Sequence, residues 1–461
     1  MTLIKSISGF RGTIGGKPGN NLTPLDIVKF TAAFAHQIRK KATDEKVKVV
    51  VGRDARVSGP MLSQLVTGTL QSMGVDVVDL GLATTPTTEM AVIDHKAQGG
   101  IILTASHNPA QWNALKLLNE KGEFISASDG KELLDLVDKD EFNFNTYDKL
   151  GKVSTNHNSG DTHIRQVLDL PLVDVEAISK AKFKVAIDCV NSVGGVVLPK
   201  LLMELGVDEV IELYCTPNGL FPHNPEPLPE NLTEISKVIK EQGADLGFVV
   251  DPDVDRLAIV SEDGTMFGEE YTLVAVADYI LSNTKGNTVS NLSSSLALRD
   301  ITLKHGGKYA TAAVGEVNVV EKMKETNAII GGEGNGGVIY PELHNGRDAL
   351  VGIALFLTHL AKSGMKCSEL RKTYPEYVIS KNKLELSEST NVDAILESVK
   401  QKYSDKKLIL IDGVKIEFEN EWVHLRKSNT EPIIRIYSES SNKEKADRLA
   451  GEIIQVIKSL S

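Results

Sequence analysis

Cysteine is scarce in this 461-residue chain: Cys189, Cys215 and Cys367 are odd in number and lack metal-ligand spacing. That excludes a disulfide framework and suits a reducing compartment. Long apolar runs are absent too. No stretch approaches the roughly 20 residues that cross a bilayer. The start, Met1 to Phe10, holds one lysine and no continuous apolar segment, so no membrane partner is expected and the cytoplasm is the default location. Basic charge is in deficit, with 51 Lys and Arg against 62 Asp and Glu and a formal charge of −11. Such a surface repels polyanions, which argues against nucleic acid and leaves any anionic ligand to local clusters. A hydrophobic fraction of 41% and a charged fraction of 25% are ordinary for folded soluble chains, and the length calls for several domains.

What is present is a repeating α/β pattern. Lys46 to Gly52 reads as strand, Pro60 to Met73 as helix and Val75 to Leu80 as strand, the alternation of a parallel sheet with helices on its faces. "LQSMGVDVVDLG" (Leu70 to Gly81) is echoed by "LMELGVDEVIEL" (Leu202 to Leu213), each a helix end, a glycine stop and a strand. "GGIILTASHNP", "LGFVVDPDVDR" and "NAIIGGEGNGG" then read as strands running into loops. Ligands of open parallel sheets sit beyond the carboxyl ends of strands, so the loops carrying Ser106, Asp251 to Asp255 and Glu333 are candidates for one site; chance similarity of common strand sequences is the alternative. After a helical stretch Asp348 to Ser363 the character changes. Strands at Lys407 to Ile411, Val414 to Phe418 and Ile433 to Tyr437, and a helix Lys443 to Ser459, read as a separate α+β domain.

Four loops carry candidate chemistry. "TASHNPAQWNALK" (Thr104 to Lys116) exposes Ser106, a nucleophile or phosphate carrier if a base or cation assists it and otherwise an ordinary turn residue. His107 is read as support on the phosphate side. Lys116 serves as a general base only if burial or neighbouring cations depress its pKa; the alternative is a solvated strand lysine. "VVDPDVDRLAIV" (Val249 to Val260) sets Asp251, Asp253 and Asp255 at alternate positions, which an extended backbone would point the same way. Three converged carboxylates need a hard cation such as Mg²⁺, unless the segment is an exposed acidic turn. Arg256 beside them offers a fork for phosphate or a structural salt bridge. In "GGEGNGG" (Gly331 to Gly337), Glu333 and Asn335 suit sugar hydroxyls, with a plain hairpin as the competing reading. "LRKSNTEPIIRIY" (Leu425 to Tyr437) gathers Arg426, Ser428, Asn429, Thr430 and Arg435 as a phosphate nest or a surface turn.

"TASHNP", "DPDVDR", "GEGNGG" and "RKSNTEP", in this order along the entire chain, resemble the motifs of the α-D-phosphohexomutase family. "SGFRG" with Arg11 and "GRDARVSG" with Arg53, Asp54 and Arg56 are further matches, and in the family these lie close to the active serine, as does Asn108. The resemblance implies an α/β fold: three similar α/β units with mixed sheets plus a C-terminal α+β phosphate-binding domain around a central cleft. The corresponding expected bounds are 1–155 for the unit with the serine, 156–258 for the metal loop, 259–372 for the sugar loop and 373–461 for the phosphate loop. It also implies a phosphorylated Ser106 bound to Mg²⁺ with Asp251, Asp253 and Asp255, Lys116 as acid/base, and a hexose 1,6-bisphosphate that turns over in the cleft and serves as activator.

The chain departs from many relatives at Asn335 and Gly337, where they have Ser and His, and at Ile7 and Ser8, where they have Thr and Asp. "GEGNGG" and "VGEVNV" (Val314 to Val319) are closer to the archaeal-type branch. The expected activity is therefore a phosphohexomutase passing glucosamine 6-phosphate to glucosamine 1-phosphate, with phosphomannomutase or phosphoglucomutase as the alternative. The expected partner is a free phosphosugar and the expected state a monomer or homodimer. A phosphosugar-binding protein without turnover would have no use for Ser106, Lys116 and three aspartates together, and a phosphatase would need water at the phosphoserine.

Overall fold

The computed structural model describes residues 1–6, 9–43, 46–140, 142–386, 391–427 and 433–460. The first sheet contains β1 (Ile4–Ser6), β2 (Gly9–Thr13), β3 (Lys48–Arg53), β4 (Asp76–Leu82), β5 (Gly99–Leu103), β6 (Trp112–Leu118) and β7 (Val153–Thr155), in the order β1-β2-β6-β5-β3-β4-β7. Strand β3 pairs in parallel with β4 and β5, and β6 runs antiparallel to β5. Successive strand residues face opposite sides, so the buried run Val49, Val50, Val51 has to be covered twice. Val49 and Val51 share a core with Phe30, Phe34, Leu62 and Val66 of helices Pro24–Lys41 and Gly59–Ser72. Val50 packs in a second core with Ala91 and Val92 of helix Thr85–Asp94.

The second sheet repeats this plan with β8 (Lys184–Asp188), β9 (Glu209–Leu213), β10 (Leu246–Val250) and β11 (Leu257–Ser261) in the order β11-β10-β8-β9. Its first three strands are parallel and β11 is antiparallel. The repeated "MGVD" and "LGVD" segments place Gly74 at φ 71° and Gly206 at φ 80°. Both end a helix in the left-handed conformation that glycine adopts without a Cβ penalty. In the third repeat β12 (Asn287–Asn291) pairs in parallel with β13 (Tyr309–Ala312) and β14 (Ala328–Glu333). Strand β15 (Gly337–Ile339) follows the glycine-rich loop. The fold thus contains three similar α/β units, with the candidate residues at or just beyond the ends of β5, β10 and β14.

The C-terminal sheet is antiparallel: β16 (Val378–Glu385), β17 (Lys407–Ile409), β18 (Val414–Glu417), β19 (Trp422–Lys427) and β20 (Ile433–Ser440), ordered β16-β20-β19-β18-β17. Its core takes Val399 from helix Val392–Lys402 and Ile453 and Ile457 from helix Lys443–Leu460. β16 and β19 were not expected from the sequence. With β19 in place, Arg426 and Arg435 lie directly opposite each other on paired strands, on either side of residues 428–432.

The chain divides into two compact units, one of residues 1–272 and 336–368 and one of residues 273–335 and 369–461. Among the described residues no helix is long and apolar enough to cross a membrane. Cys189, Cys215 and Cys367 are free thiols.

Candidate functional site

The first unit brings the serine loop and the aspartate loop together. Ser106 is buried and left-handed at φ 48°, a conformation that costs a non-glycine residue about 1 kcal/mol or more. Its N–H donates to Thr104 Oγ1 at 2.9 Å, and that hydroxyl donates to Asp54 Oδ2 at 2.7 Å. Ser106 Oγ donates to Asp251 Oδ2 at 2.6 Å and lies 3.3 Å from His107 Nδ1. Burial, reinforced by the Arg256 charge, pushes His107 down to about 3. The ring is therefore neutral at physiological pH, and its 4.0 Å approach to Glu226 is not an ion pair.

Asp251, Asp253 and Asp255 are all fully buried, and one carboxylate oxygen of each lies within 4.8 Å of the others. An extended backbone is not what aims them. The segment after β10 is a turn with Val254 at φ 63°, so the expectation from alternation gave the convergence for the wrong reason. Arg256 N donates to Asp251 Oδ1 at 3.2 Å, Thr85 Oγ1 to Asp253 Oδ2 at 2.6 Å, and Arg347 Nη2 to Asp255 Oδ2 at 2.7 Å.

Lys116 returns on β6, as its spacing suggested, with Nζ 2.7 Å from Asp253 Oδ2 and 3.5 Å from Asp255 Oδ2. Burial acts to lower its pKa, but the two carboxylates outweigh burial and raise it. The sequence made a base role conditional on a depressed lysine, and these carboxylates act in the opposite direction. Burial also acts to raise Asp253, yet Lys116 holds it well below the usual carboxylate range, whereas burial and its two neighbours push Asp251 up.

A cavity of about 300 Å³ opens onto Ser106, lined also by Arg11, His107, Asn108 and Lys116. Arg11 is exposed on β2. Arg53 donates to the Asp54 carbonyl at 3.2 Å, next to the Asp54 carboxylate that supports the loop. Arg256 keeps its Nε buried without a hydrogen-bond partner among the described residues and its Nη1 3.7 Å from Glu226, which leaves donor capacity for an anion.

The four domains of one family match consecutive stretches of the chain: phosphoglucomutase/phosphomannomutase alpha/beta/alpha domains I, II and III at residues 3–144, 161–264 and 268–377, and the C-terminal domain at 383–456. A phosphoglucomutase/phosphomannomutase of Thermococcus kodakarensis is 37% identical over 94% of this chain and 95% of its own. The chain belongs to the phosphoglucomutase/phosphomannomutase family. A phosphoglucosamine/phosphogalactosamine mutase of Sulfurisphaera tokodaii is 33% identical over 99% of both chains. The crystal structure of a Burkholderia thailandensis member superposes with a TM-score of 0.84 at 25% identity, covering 99% of this chain and 98% of that one. The protein is a phosphohexomutase, an isomerase of hexose phosphates.

The phosphohexomutase triad fits a divalent metal. Asp253 Oδ1 and Asp255 Oδ1 are buried and have no hydrogen-bond partner among the described residues. These two orphaned acceptors, with the Asp251 carboxylate beside them, form an all-oxygen donor set for a hard ion.

In the second unit, Glu333 ends β14, with its Oε1 accepting from Asn291 Nδ2 at 2.8 Å and from Gly315 N at 3.0 Å. Gly315 belongs to the "VGEVNV" segment, so two motifs 18 residues apart meet at one carboxylate. Asn335 lies two residues on and is half-buried. Arg426 forms an ion pair with Asp412 at 2.9 Å whose geometry is not that of a hydrogen bond, and Arg435 is exposed. Ser428, Asn429 and Thr430 lie outside the described residues.

Sequence reasoning missed Thr85 and Arg347 and left Arg56 without a role. Thr85 and Arg347 sit 168 and 92 residues from the aspartates they contact. Their only sequence signals, a threonine-rich helix start and an Arg-Asp pair before a helix, are ordinary.

Proposed function

We propose that the enzyme moves a phosphoryl group between C6 and C1 of a hexose phosphate by way of a phosphorylated Ser106, with glucosamine 6-phosphate and glucosamine 1-phosphate as its substrate pair. The 2.6 Å approach of Ser106 Oγ to Asp251, beside two aspartates with orphaned oxygens, carries this reading. A Mg²⁺ ion held by Asp251, Asp253, Asp255 and a Ser106 phosphate oxygen would supply charge neutralisation.

As the bond from phosphorus to Ser106 Oγ breaks and one forms to the sugar hydroxyl oxygen, the Lys116 ammonium protonates Oγ. It then regains the proton of the attacking hydroxyl, so the proton count closes. In the second half the other phosphate of the bisphosphate returns to Ser106, which makes hexose 1,6-bisphosphate an activator. Neutral His107, together with Arg11, Arg256 and the Arg53, Asp54 and Asn108 surround, steadies the phosphate. We assign sugar hydroxyls to Glu333 and Asn335, and the non-reacting phosphate to Arg426, Arg435 and the intervening Ser428, Asn429 and Thr430.

Glucosamine phosphate is favoured by the name of the Sulfurisphaera relative, and a phosphomannomutase or phosphoglucomutase activity by that of the Thermococcus relative. The low cysteine count and acidic surface suit a cytoplasmic monomer or homodimer acting on free phosphosugar. A coupled assay across glucosamine, mannose, glucose and N-acetylglucosamine phosphates, with Mg²⁺ and bisphosphate added, orders the substrates. Ser106→Ala is expected to abolish turnover on all four, and full activity in that variant would refute the phosphoserine route.

A further inference from the structure

Arg56 is one of the largest fully buried side chains of the molecule, and its charge is spent on one loop. Nε donates to Asp54 Oδ2 at 3.0 Å. Nη1 donates to the carbonyls of Pro109 at 2.7 Å and Trp112 at 3.0 Å, and Nη2 to those of Ser106 at 2.5 Å and Asn108 at 2.6 Å. A guanidinium has five N–H groups in a rigid planar fork. All five are used, and four of them close on backbone carbonyls between residues 106 and 112.

The same Asp54 carboxylate ties the arm before the serine. Its Oδ2 accepts from Thr104 Oγ1, which accepts from Ser106 N, while its Oδ1 accepts from Arg56 N at 3.0 Å. Ser106 is thus gripped at its N–H through Thr104 and at its carbonyl by Arg56. A left-handed serine persists only where its surroundings over-determine it, and the grip on both sides of its peptide units does so. Phe221 stacks over the guanidinium at 5.0 Å.

We infer that Arg56 is the positioning residue of the phosphate carrier: its five-donor fork, braced by Asp54 and Thr104, holds Ser106 left-handed so that Oγ faces the aspartate triad. The inference rests on the phosphoserine reading above. Lysine at this position keeps the charge but offers three donors on a flexible stem, without the fork.

The test compares wild type, Arg56→Lys and Thr104→Val, each with Mg²⁺ and saturating hexose 1,6-bisphosphate. The readouts are kcat and KM for the hexose monophosphate, the rate at which Ser106 gains a phosphoryl group by intact mass, and the thermal midpoint. For Arg56→Lys, kcat is expected to fall about 100-fold, the effect of a displacement near 1 Å at the reacting atom. Serine phosphorylation should slow by a similar factor while KM stays within about threefold, since substrate contacts are untouched.

Thr104→Val loses only the bridging hydroxyl and should lower kcat about 10-fold. A purely structural role would instead lower the thermal midpoint and the folded fraction, with kcat per folded molecule unchanged; that result, or wild-type kcat in Arg56→Lys, overturns the inference. If Arg56→Lys does not fold, Thr104→Val decides: unchanged kcat and phosphorylation rate overturn the inference. Absence of serine phosphorylation in the wild type would sink the phosphoserine reading itself, an outcome distinct from both.

Discussion

Two buried clusters in the first unit bring together side chains able to hold a metal ion, and they differ in what is left over. One is Asp251, Asp253 and Asp255; the other is His163, His344 and Asp348. In the second cluster every ligand atom of the three side chains has a polar neighbour within 3.4 Å. His163 Nδ1 meets Thr87 Oγ1 at 3.0 Å and its Nε2 meets Asp348 Oδ2 at 3.0 Å. His344 Nε2 lies 3.4 Å from the same oxygen and its Nδ1 3.4 Å from Glu89 Oε2, the latter an approach whose geometry is not that of a hydrogen bond. Asp348 Oδ1 caps the helix Ala349–Ser363 by accepting from Leu350 N at 2.8 Å.

In the triad, by contrast, Asp253 and Asp255 each give one oxygen to a cation, Lys116 or Arg347, and keep the other without a partner among the described residues. Convergence of ligand atoms is therefore not what marks a metal site. Unused acceptor capacity in a dry place is, because a buried orphaned oxygen costs free energy until something binds it. The two clusters adjoin: Arg347 serves the first and Asp348 the second.

The contrast breaks most sharply at the triad. Asp253→Asn is expected to cost at least about 1000-fold in turnover and to abolish stimulation by Mg²⁺, read from initial rates across a Mg²⁺ titration after chelation. Retained Mg²⁺ stimulation would place the ion elsewhere. At the second cluster the expected effect is on stability. Asp348→Asn leaves two buried imidazoles without their charged partner and should cost about 3 kcal/mol, measured as a shift in the urea midpoint. The Mg²⁺ concentration for half-activation should stay where it is; a parallel loss of metal response would show that this cluster binds an ion after all.

The smallest effect is on pH dependence. Burial acts to raise Asp348, but His163 and His344 outweigh it and hold the carboxyl well below the usual range. A depressed carboxylate contributes stability above its unfolded pKa of about 3.9, and that stability drains away as the pH falls through this value toward the folded one. Wild type should therefore lose more stability than Asp348→Asn between neutral pH and pH of about 3. Parallel acid limbs in the two proteins would mean that Asp348 does not carry that charge.

Much of the site was legible because its parts are local. Ser106 in "TASHNP", the aspartates of "DPDVDR" and the glycine-stopped repeats all lie within about a dozen residues of a strand end, the range over which turn chemistry and periodicity act. Other features were illegible for identifiable reasons. Alternation suggested an extended aspartate strand; the Pro252-Asp253 pair was the turn signal passed over, and the left-handed conformation of Val254 is one that a β-branched residue does not announce. A base role for Lys116 depended on burial or neighbouring cations, and it lies among carboxylates because β6 runs antiparallel to β5 and carries it back toward the loop of aspartates after β10. The strand Trp422–Lys427 was not foreseen, so that Arg426 and Arg435 would be partners across a ladder was not legible either.

From the amino-acid order alone came the kinds of chemistry: a hydroxyl to carry phosphate, three acids to attract a hard cation, and three copies of one α/β unit to present them at strand ends. Those follow from residue type and short-range spacing, which act before the chain closes. Which charges end up as neighbours, and so the protonation of Lys116, the partners of Arg56 and the difference between an open and a self-satisfied cluster, was decided by packing. Coulomb and hydrogen-bond energies depend on distance in space and on exclusion of water, and neither exists until segments as far apart as residues 116 and 253 are buried side by side.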